Sequence, residues 1–184
     1  MNDYLVDMFK IPLLHLEVEN WNDKKKILKD LFDISLYKNT EPDEQTTDYF
    51  YKVESGNKDK DLETIRSLFS PEIEKFRKCF SFEDVEMLVS WFEMSMNGQH
   101  HEVHNHGATG YSAVCFIDFD KKYHKPTNFV SPFNDFYKGN TLTFEPPNIH
   151  EGSLIFFPSC IHHYAPANHS NIPRMIISFN LKVR

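Results

Sequence analysis

Four of the ten histidines of the chain lie between residues 100 and 106, in the stretch GQHHEVHNHGATG. An imidazole can bind a metal ion, transfer a proton or serve as a polar surface group, so the spacing must distinguish these roles. It excludes a His-Glu-x-x-His metal-binding helix, because the residue four after His101 is Asn105. Glycines at positions 98, 107 and 110 also oppose a long helix here.

His104 and His106 fit an extended strand better. Residues two apart on a strand face the same side, so both imidazoles can point at one ion while Asn105 points away. A third ligand would come from another strand, and FPSCIHHYAPAN offers His162 and His163. Imidazole suits iron, zinc, copper and nickel alike, so the ligands do not name the metal. The alternative is that these are ordinary exposed loop histidines.

A second candidate group lies on the last apolar segment, RMIISFNLKV, which begins at Arg174. On a strand, Arg174, Ile176 and Ser178 share one face. An arginine among apolar residues is costly to bury unless it meets an anion, so Arg174 and Ser178 could hold one carboxylate. The alternative is an arginine at the rim of the core that pairs with one of the 27 acidic side chains.

The first 80 residues contain the elements that would support these strands. The alternation in LLHLEVEN predicts a strand, and apolar residues at helical spacing predict a helix after the candidate caps Asn22 and Asp23. A second helix is predicted around residues 62–69, and a third from Ser70-Pro71-Glu72. The polar segment 37–61 predicts a long connection with one short strand at Tyr49 to Val53.

Beyond residue 80 the helical period disappears. Short segments rich in β-branched and aromatic residues alternate with Pro, Gly and Asn, which predicts many short strands in a β-sandwich, jelly roll or small barrel. These segments are VEMLVSWFEMSM, YSAVCFIDF, NTLTFE, GSLIFFP and RMIISFNLKV. The aromatic segment 120–140 is either a lid over the barrel mouth, where substrate identity would be decided, or core from further strands.

Composition limits the class of protein. At 184 residues the chain predicts a single domain, with a strand and supporting helices in 1–80 and a jelly-roll core carrying the metal site in 81–184. A net charge of -7 without a basic stripe argues against nucleic acid and anionic membranes as partners. The longest apolar stretches fall short of the roughly 20 residues of a membrane helix.

The cysteines and the amino-terminal residues suggest a compartment. The three cysteines are far apart and form no C-x-x-C pair. The opening MNDYLVDMFKIP does not have the basic-then-apolar layout of a secretory signal. We therefore expect a reduced, cytoplasmic protein. Its oligomeric state stays open, with a homodimer among the candidates.

Together these motifs resemble the Fe(II)/2-oxoglutarate-dependent dioxygenases, which fold as a double-stranded β-helix. The segments HNHGATGYSAVCF, GSLIFFPSCIHHYAPAN and RMIISFN are similar to one 2-oxoglutarate oxygenase family of bacteria and phages. That family typically has a His-x-His, a Ser before an aromatic strand, FPS followed by a His, and R…SFN. The opening MFKIPLLHLEV also resembles the start of the family, although only residues 91–182 carry specific motifs.

The resemblance implies His104, His106 and His163 as ligands of Fe(II), and Arg174 with Ser178 as the binding site of 2-oxoglutarate. His163 is preferred to His162 because the His of the family is the fourth residue after the Ser of FPS. Position 106 departs from the superfamily, where most enzymes carry Asp or Glu, so the site would have one negative charge less.

Glu102 competes with His106, because Glu102 and His104 would give a carboxylate and a histidine in reversed order. The resemblance favours His106, since the second ligand of the family follows the first. His100 lies four residues from His104, about 13 Å along an extended chain, and His101 has the opposite parity. We expect both to be loop residues or residues behind the ligands.

The activity implied by the resemblance is oxidative decarboxylation of 2-oxoglutarate to succinate and carbon dioxide, with molecular oxygen and oxidation of an unknown substrate. Two alternatives remain at this stage. One is a three-histidine cupin-type dioxygenase, such as a thiol dioxygenase, in which Arg174 would hold the carboxylate of the substrate itself. The other is a non-catalytic jelly-roll binding module.

Overall fold

The computed structural model of the chain describes residues 9–37, 41, 43–53 and 61–184. The helices are α1 (Trp21–Leu31), α2 (Tyr49–Val53) and α3 (Leu62–Phe80), with a short 3-10 helix at Ile34–Leu36. The strands are β1 (Leu14–Glu17), β2 (Thr46–Thr47), β3 (Val85–Ser95), β4 (His101–His104), β5 (Tyr111–Asp118), β6 (Asn128–Asn134), β7 (Thr141–Phe144), β8 (Ser153–Pro158), β9 (His163–Ala165) and β10 (Arg174–Val183).

The strands form two antiparallel sheets. The larger has the order β1-β8-β5-β10-β3-β2, and the smaller has the order β4-β9-β6-β7. From β3 to β6, and again from β7 to β10, successive strands of the chain alternate between the sheets, so β8 belongs to the larger one and β9 to the smaller one. This is the double-stranded β-helix, or jelly roll, and it confirms the predicted fold class.

Successive side chains along a strand of the larger sheet point to opposite faces, and each face is covered by an apolar core. Because both faces are buried, the sequences of these strands are continuously apolar. One core lies between this sheet and helices α1 and α3, and it includes Leu28, Phe69, Phe76, Cys115, Phe156 and Ile177. The other core lies between the two sheets, and it includes Val114, Phe116, Phe129, Ile155, Phe157 and Ile176.

The helices correct three predictions. Residues 62–80 form one helix rather than two, although Pro71 lies inside it. Proline cannot donate to the carbonyl four residues earlier, but the hydroxyl of Ser70 donates to the Ser67 carbonyl at 3.0 Å and satisfies it. Helix α1 begins at Trp21, before the predicted caps, with Asn20 in the left-handed region at its start.

The predicted strand at Tyr49–Val53 is wrong, since these residues form α2. The strand of this region is β2, which pairs with β3. A two-residue strand leaves no alternation to detect, and its pairing is a tertiary contact. The rest of the predicted connection includes residues 38–40, 42 and 54–60, which lie outside the described residues, as does Met8 at the start of the family-like opening.

Segment 120–140 contains a strand that the sequence did not reveal. Strand β6 pairs with both β7 and β9, and its Phe129 is buried between the sheets. Beyond the strand, Phe136 and Tyr137 are 94% and 93% exposed. Some aromatic residues of the segment therefore pack in the core, and others are exposed to solvent. Among the described residues, no helix is both long and apolar enough to cross a membrane.

Candidate active site

Three histidines from two neighbouring segments converge between the sheets. His104 ends β4 and lies directly opposite His163, the first residue of β9. His106 follows β4 by two residues, and its ring centroid is 5.0 Å from each of the other two. One ring nitrogen from each histidine lies within 4.8 Å of the other two. The structure thus brings the three predicted ligands together.

Hydrogen bonds orient two of these imidazoles. The Nδ1 atoms of His104 and His163 lie 2.8 and 2.9 Å from the carbonyl oxygens of Glu102 and Ile161. A carbonyl accepts only, so each Nδ1 carries the proton and each Nε2 keeps a free lone pair. Backbone carbonyls commonly hold metal-ligating histidines in this tautomer.

The main chain around Ser159 holds His106. The amide of His106 donates to the Ser159 carbonyl at 2.9 Å, and the amide of Ser159 donates to the Gly110 carbonyl at 3.1 Å. The hydroxyl of Ser112 contacts the Ser159 hydroxyl at 2.9 Å and donates to Asn180 Oδ1 at 2.8 Å. The motif residues GYS, FPS and SFN therefore meet in one hydrogen-bonded group beside the histidine cluster.

Burial keeps the three imidazoles neutral. It lowers the pKa of His106 to about 4 and that of His163 to about 3, with a further contribution from the neighbouring His104. The pKa of His104 is also lowered, by burial and then by His101. A neutral imidazole is the form that binds a metal ion, so the cluster is suited to a divalent cation at neutral pH.

The structure separates the other candidate ligands from the cluster. His162 is exposed, and its Nε2 lies 3.2 Å from Asn105 Nδ2. Glu102 is exposed as well, and it is outside the group of candidate ligand atoms found among the described residues. His100 contacts the Asp43 carbonyl through Nδ1.

His101 lies close to the cluster, although its strand parity predicts otherwise. Its ring stacks on that of His104 with centroids 3.9 Å apart. The pairing of β4 with β9 shifts register between these two residues, and such an irregularity changes which side a residue faces. The expectation that His101 lies behind a ligand agrees with this contact, but the parity argument was wrong.

Arg174 is almost completely buried, with 1% of its surface exposed. No carboxylate of the described residues lies within ion-pair distance of its guanidinium. Its Nη2 lies 3.4 Å from Thr127 Oγ1, and the guanidinium lies over the Phe116 ring at 5.7 Å. Its Nε has no hydrogen-bond partner among the residues that the structure describes. Burial lowers its pKa to about 10, so it stays positively charged at neutral pH.

Ser178 faces the same interior but is not next to the guanidinium in any observed contact. Its hydroxyl donates to Glu93 Oε1 at 3.3 Å, and it is the hydroxyl of Thr127 that contacts the Arg174 guanidinium. Sequence reasoning missed Glu93 and Thr127. The available signal was the single acidic residue within the apolar part of β3, where Trp91 and Glu93 share a face.

A cavity of about 200 Å³ opens beside His106. Its walls come from the segment 44–50, from β3 and from β4, and they include Gln45, Tyr49, Phe50, Trp91 and Asn105. Larger grooves of about 870 and 520 Å³ lie elsewhere, and none of the three clustered histidines lines them. The segment 44–50 thus flanks the histidines, although the sequence predicted only a connection there.

The donor set and the buried cation fit the two groups that the sequence predicted. Three neutral imidazoles on one side suit a divalent transition metal, although they do not distinguish iron from its neighbours. A buried guanidinium with an unpartnered Nε suits a carboxylate. A double-stranded β-helix with these two features fits the class of 2-oxoglutarate-dependent oxygenases that the sequence motifs resemble.

A family comparison gives the same class independently. Residues 89–180, half of the chain, match the family described as "Putative 2OG-Fe(II) oxygenase". The chain therefore belongs to this family, whose members use Fe(II) and 2-oxoglutarate. No curated protein matches the sequence.

Solved structures of low sequence identity share the fold. A Pseudomonas putida prolyl-4-hydroxylase matches with a TM-score of 0.57 and 11% identity, over 94% of this chain and 92% of its own. The epimerase SnoN from nogalamycin biosynthesis was solved with Fe3+, alpha ketoglutarate and nogalamycin RO. It matches with a TM-score of 0.59 and 13% identity, over 92% of this chain and 78% of its own.

A Burkholderia pseudomallei oxidoreductase of the 2OG-Fe(II) oxygenase family matches with a TM-score of 0.51 and 15% identity. The match covers 65% of this chain and spans 55% of the length of that protein. At such identities the likeness extends to the fold, and the site residues have to be argued from this chain itself.

Proposed function

We propose that this oxygenase binds Fe(II) through His104, His106 and His163, and that it decarboxylates 2-oxoglutarate to succinate while oxidising a substrate. The observation that carries this proposal is the convergence of the three imidazoles, with ligand atoms within 4.8 Å of one another, inside a jelly roll of this family. When bound, the iron would supply the activation of molecular oxygen.

Arg174 would bind the carboxylate of 2-oxoglutarate that lies away from the metal. A buried ionised side chain without a carboxylate partner costs several kcal/mol, and a bound anion would offset that cost. Thr127, beside the guanidinium, would donate its hydroxyl to the same carboxylate. Ser178 would contribute indirectly, because its hydroxyl already donates to Glu93.

The interior between the histidines and Thr127 must widen to admit the cosubstrate. The space bounded by His163, Thr127, Ile176 and Ser178 measures about 10 Å³, roughly the room of one water molecule. Side chains around it would therefore move when 2-oxoglutarate enters. The substrate would approach from the separate cavity beside His106, where Tyr49 and Phe50 offer aromatic surfaces.

The activity is tested by measuring succinate. Tag-free protein is supplied with Fe(II), 2-oxoglutarate, oxygen and ascorbate, which replaces the unknown substrate as the two-electron donor, and succinate is quantified for the wild type, for His163→Ala and for the matched control His162→Ala. We expect the wild type and the His162 variant to release succinate and the His163 variant to release almost none. The proposal is wrong if the wild type releases no more succinate than the His163 variant.

A further inference from the structure

Glu93 is a buried carboxylate next to the histidine cluster. It lies on β3 directly opposite Ile176 of β10, and 5% of its surface is exposed. Trp91 Nε1 donates to its Oε1 at 2.6 Å, and Gln45 Nε2 donates to its Oε2 at 2.5 Å. With the longer contact from Ser178, three donors satisfy the two carboxylate oxygens.

These donors carry no charge that could neutralise Glu93, and His101, whose Nδ1 lies 3.7 Å from Oε2, pairs with the carboxylate as a cation only when it is protonated. The indole, the amide and the hydroxyl are all neutral, and no Lys or Arg of the described chain comes within ion-pair distance of the carboxylate. Burial alone would raise its pKa, but His101 and the Trp91 indole outweigh this effect, so the pKa lies below its ordinary value. The three hydrogen-bond donors on its two oxygens likewise favour the ionised form, so Glu93 is a negative charge held in the interior.

Glu93 lies beside the cluster, because it lines the same interior space as His104, His106 and His163. Gln45 Nε2 lies 2.6 Å from His101 Nδ1, and Glu93 Oε2 lies 3.7 Å from the same nitrogen. The ring of His101 in turn stacks on that of His104. Among the described residues, the grouped candidate ligand atoms are those of the three histidines, so Glu93 lies beside the ligand set rather than in it.

A charge balance explains why the interior holds this carboxylate. A divalent metal and the 2-oxoglutarate dianion neutralise each other, and three neutral imidazoles contribute no charge. The positive charge of Arg174 is then left over. In a site with a carboxylate ligand that ligand balances it, whereas here Glu93 is the carboxylate of the described residues that lines this interior.

We propose that Glu93, from outside the metal's coordination shell, supplies the negative charge that a carboxylate ligand supplies in two-histidine sites, and that it thereby strengthens metal binding. This proposal rests on the proposed function, because it assumes a divalent metal at the three histidines. It makes Glu93 a positioning and charge-compensating residue, distinct from the ligands.

The test measures the affinity for Fe(II), or for Ni(II) as an oxygen-insensitive probe, by calorimetry without 2-oxoglutarate. Changes behind metal ligands typically alter affinity by about ten- to a hundredfold, and we expect Glu93→Gln to weaken binding by that factor. Glu93→Asp, which keeps the charge, should retain most of the affinity. Glu102→Gln is the matched control, because it removes an exposed charge two residues from His104 and should change little.

A double variant separates charge from packing. His106→Asp adds a carboxylate within the cluster, so Glu93→Gln combined with His106→Asp should recover the affinity that Glu93→Gln alone loses. A purely structural role of Glu93 predicts that the double variant binds no better. Should circular dichroism show that Glu93→Gln is unfolded, the comparison is made between Arg174→Gln and Arg174→Gln with Glu93→Gln, which removes both buried charges.

The outcomes distinguish this inference from the function on which it rests. If wild-type protein binds the metal in a His163-dependent way but Glu93→Gln binds it equally tightly, the role of Glu93 is wrong and the metal site stands. If metal binding does not depend on His163 at all, the proposed function itself fails.

Discussion

Arg174 and Glu93 are buried charges of opposite sign on the paired strands β10 and β3, and yet no ion pair joins them. Both lie on the inward faces of their strands, Arg174 opposite Ser95 and Glu93 opposite Ile176. Burial lowers the pKa of Arg174 to about 10, and the negative charge of Glu93 partly offsets this effect by favouring the protonated form. The guanidinium therefore stays positively charged without forming an ion pair with Glu93, and an anion-binding site requires such a free positive charge.

The first prediction concerns Arg174 itself. Arg174→Gln should weaken 2-oxoglutarate binding to the metal-loaded protein without removing the metal, because the guanidinium contacts the cosubstrate and not the ion. A charge-assisted hydrogen bond contributes about 1.5 to 3 kcal/mol, which is roughly ten- to a hundredfold in affinity. Ser178→Ala should cost less. Calorimetry that gives equal affinity for the wild type and Arg174→Gln would disprove the cosubstrate assignment.

The second prediction concerns pH and the stability of the metal-free protein. The pKa values of His106 and His163 are lowered to about 4 and about 3, whereas an unfolded histidine titrates near 6.5. As the pH falls below 6.5, the unfolded chain binds protons that the folded chain does not, so stability decreases. Urea unfolding between about pH 7 and pH 5 should show this decrease, with a shallower slope for His163→Gln. Identical slopes would contradict it.

The same lowered pKa values affect metal binding. A histidine in water loses its metal to protons near pH 6.5, but the buried cluster should retain the metal to lower pH. Metal affinity should therefore stay nearly constant as the pH falls through the ordinary histidine pKa near 6.5, and decline only at lower pH. A fall centred on the ordinary histidine pKa would show that the imidazoles are more solvated than the structure indicates.

The third prediction concerns Gly110, which has a positive φ of 86°. A Cβ at this position would lie 2.5 Å from the Leu181 carbonyl oxygen, and a non-glycine residue is strained at such a φ. Gly110→Ala should lower the free energy of unfolding by more than about 1 kcal/mol. It should also weaken metal binding, because Gly110 supports Ser159 and Ser159 supports His106.

The matched control for Gly110 is Gly107. It also has a positive φ, but a Cβ there would meet no atom within 4 Å. Gly107→Ala should therefore lose only the stability that the strained backbone costs, without a steric clash. If both variants lose the same stability and bind the metal equally well, the close approach to Leu181 does not support the site.

Strand parity predicted the part of the site that depends on local chain geometry. It placed Arg174 and Ser178 on one face of β10, and the structure has both on the inward face. It also led to His104 and His106 as a pair, although β4 ends at His104 and the main chain around Ser159, rather than a continued strand, holds His106.

The rest of the site depends on contacts between residues that are far apart in the sequence, which no local spacing predicts. Glu93 is linked to Gln45, 48 residues earlier, and to Ser178, 85 residues later. His101 reaches the cluster because of a register shift, which strand parity cannot foresee. The distinction between His162 and His163 came from the family motif, and their different burial agrees with it.

The central claim is that His104, His106 and His163 together bind one metal ion, and metal analysis of tag-free single variants tests it most directly. The wild type and His162→Ala should each bind about one Fe(II) or Ni(II) per chain, and so should Glu102→Ala. Alanine at position 104, 106 or 163 should abolish stoichiometric binding, while His106→Asp should retain it. Metal binding that survives His163→Ala but is lost in His162→Ala, or that is lost in Glu102→Ala but kept in His106→Ala, would contradict the three-histidine site.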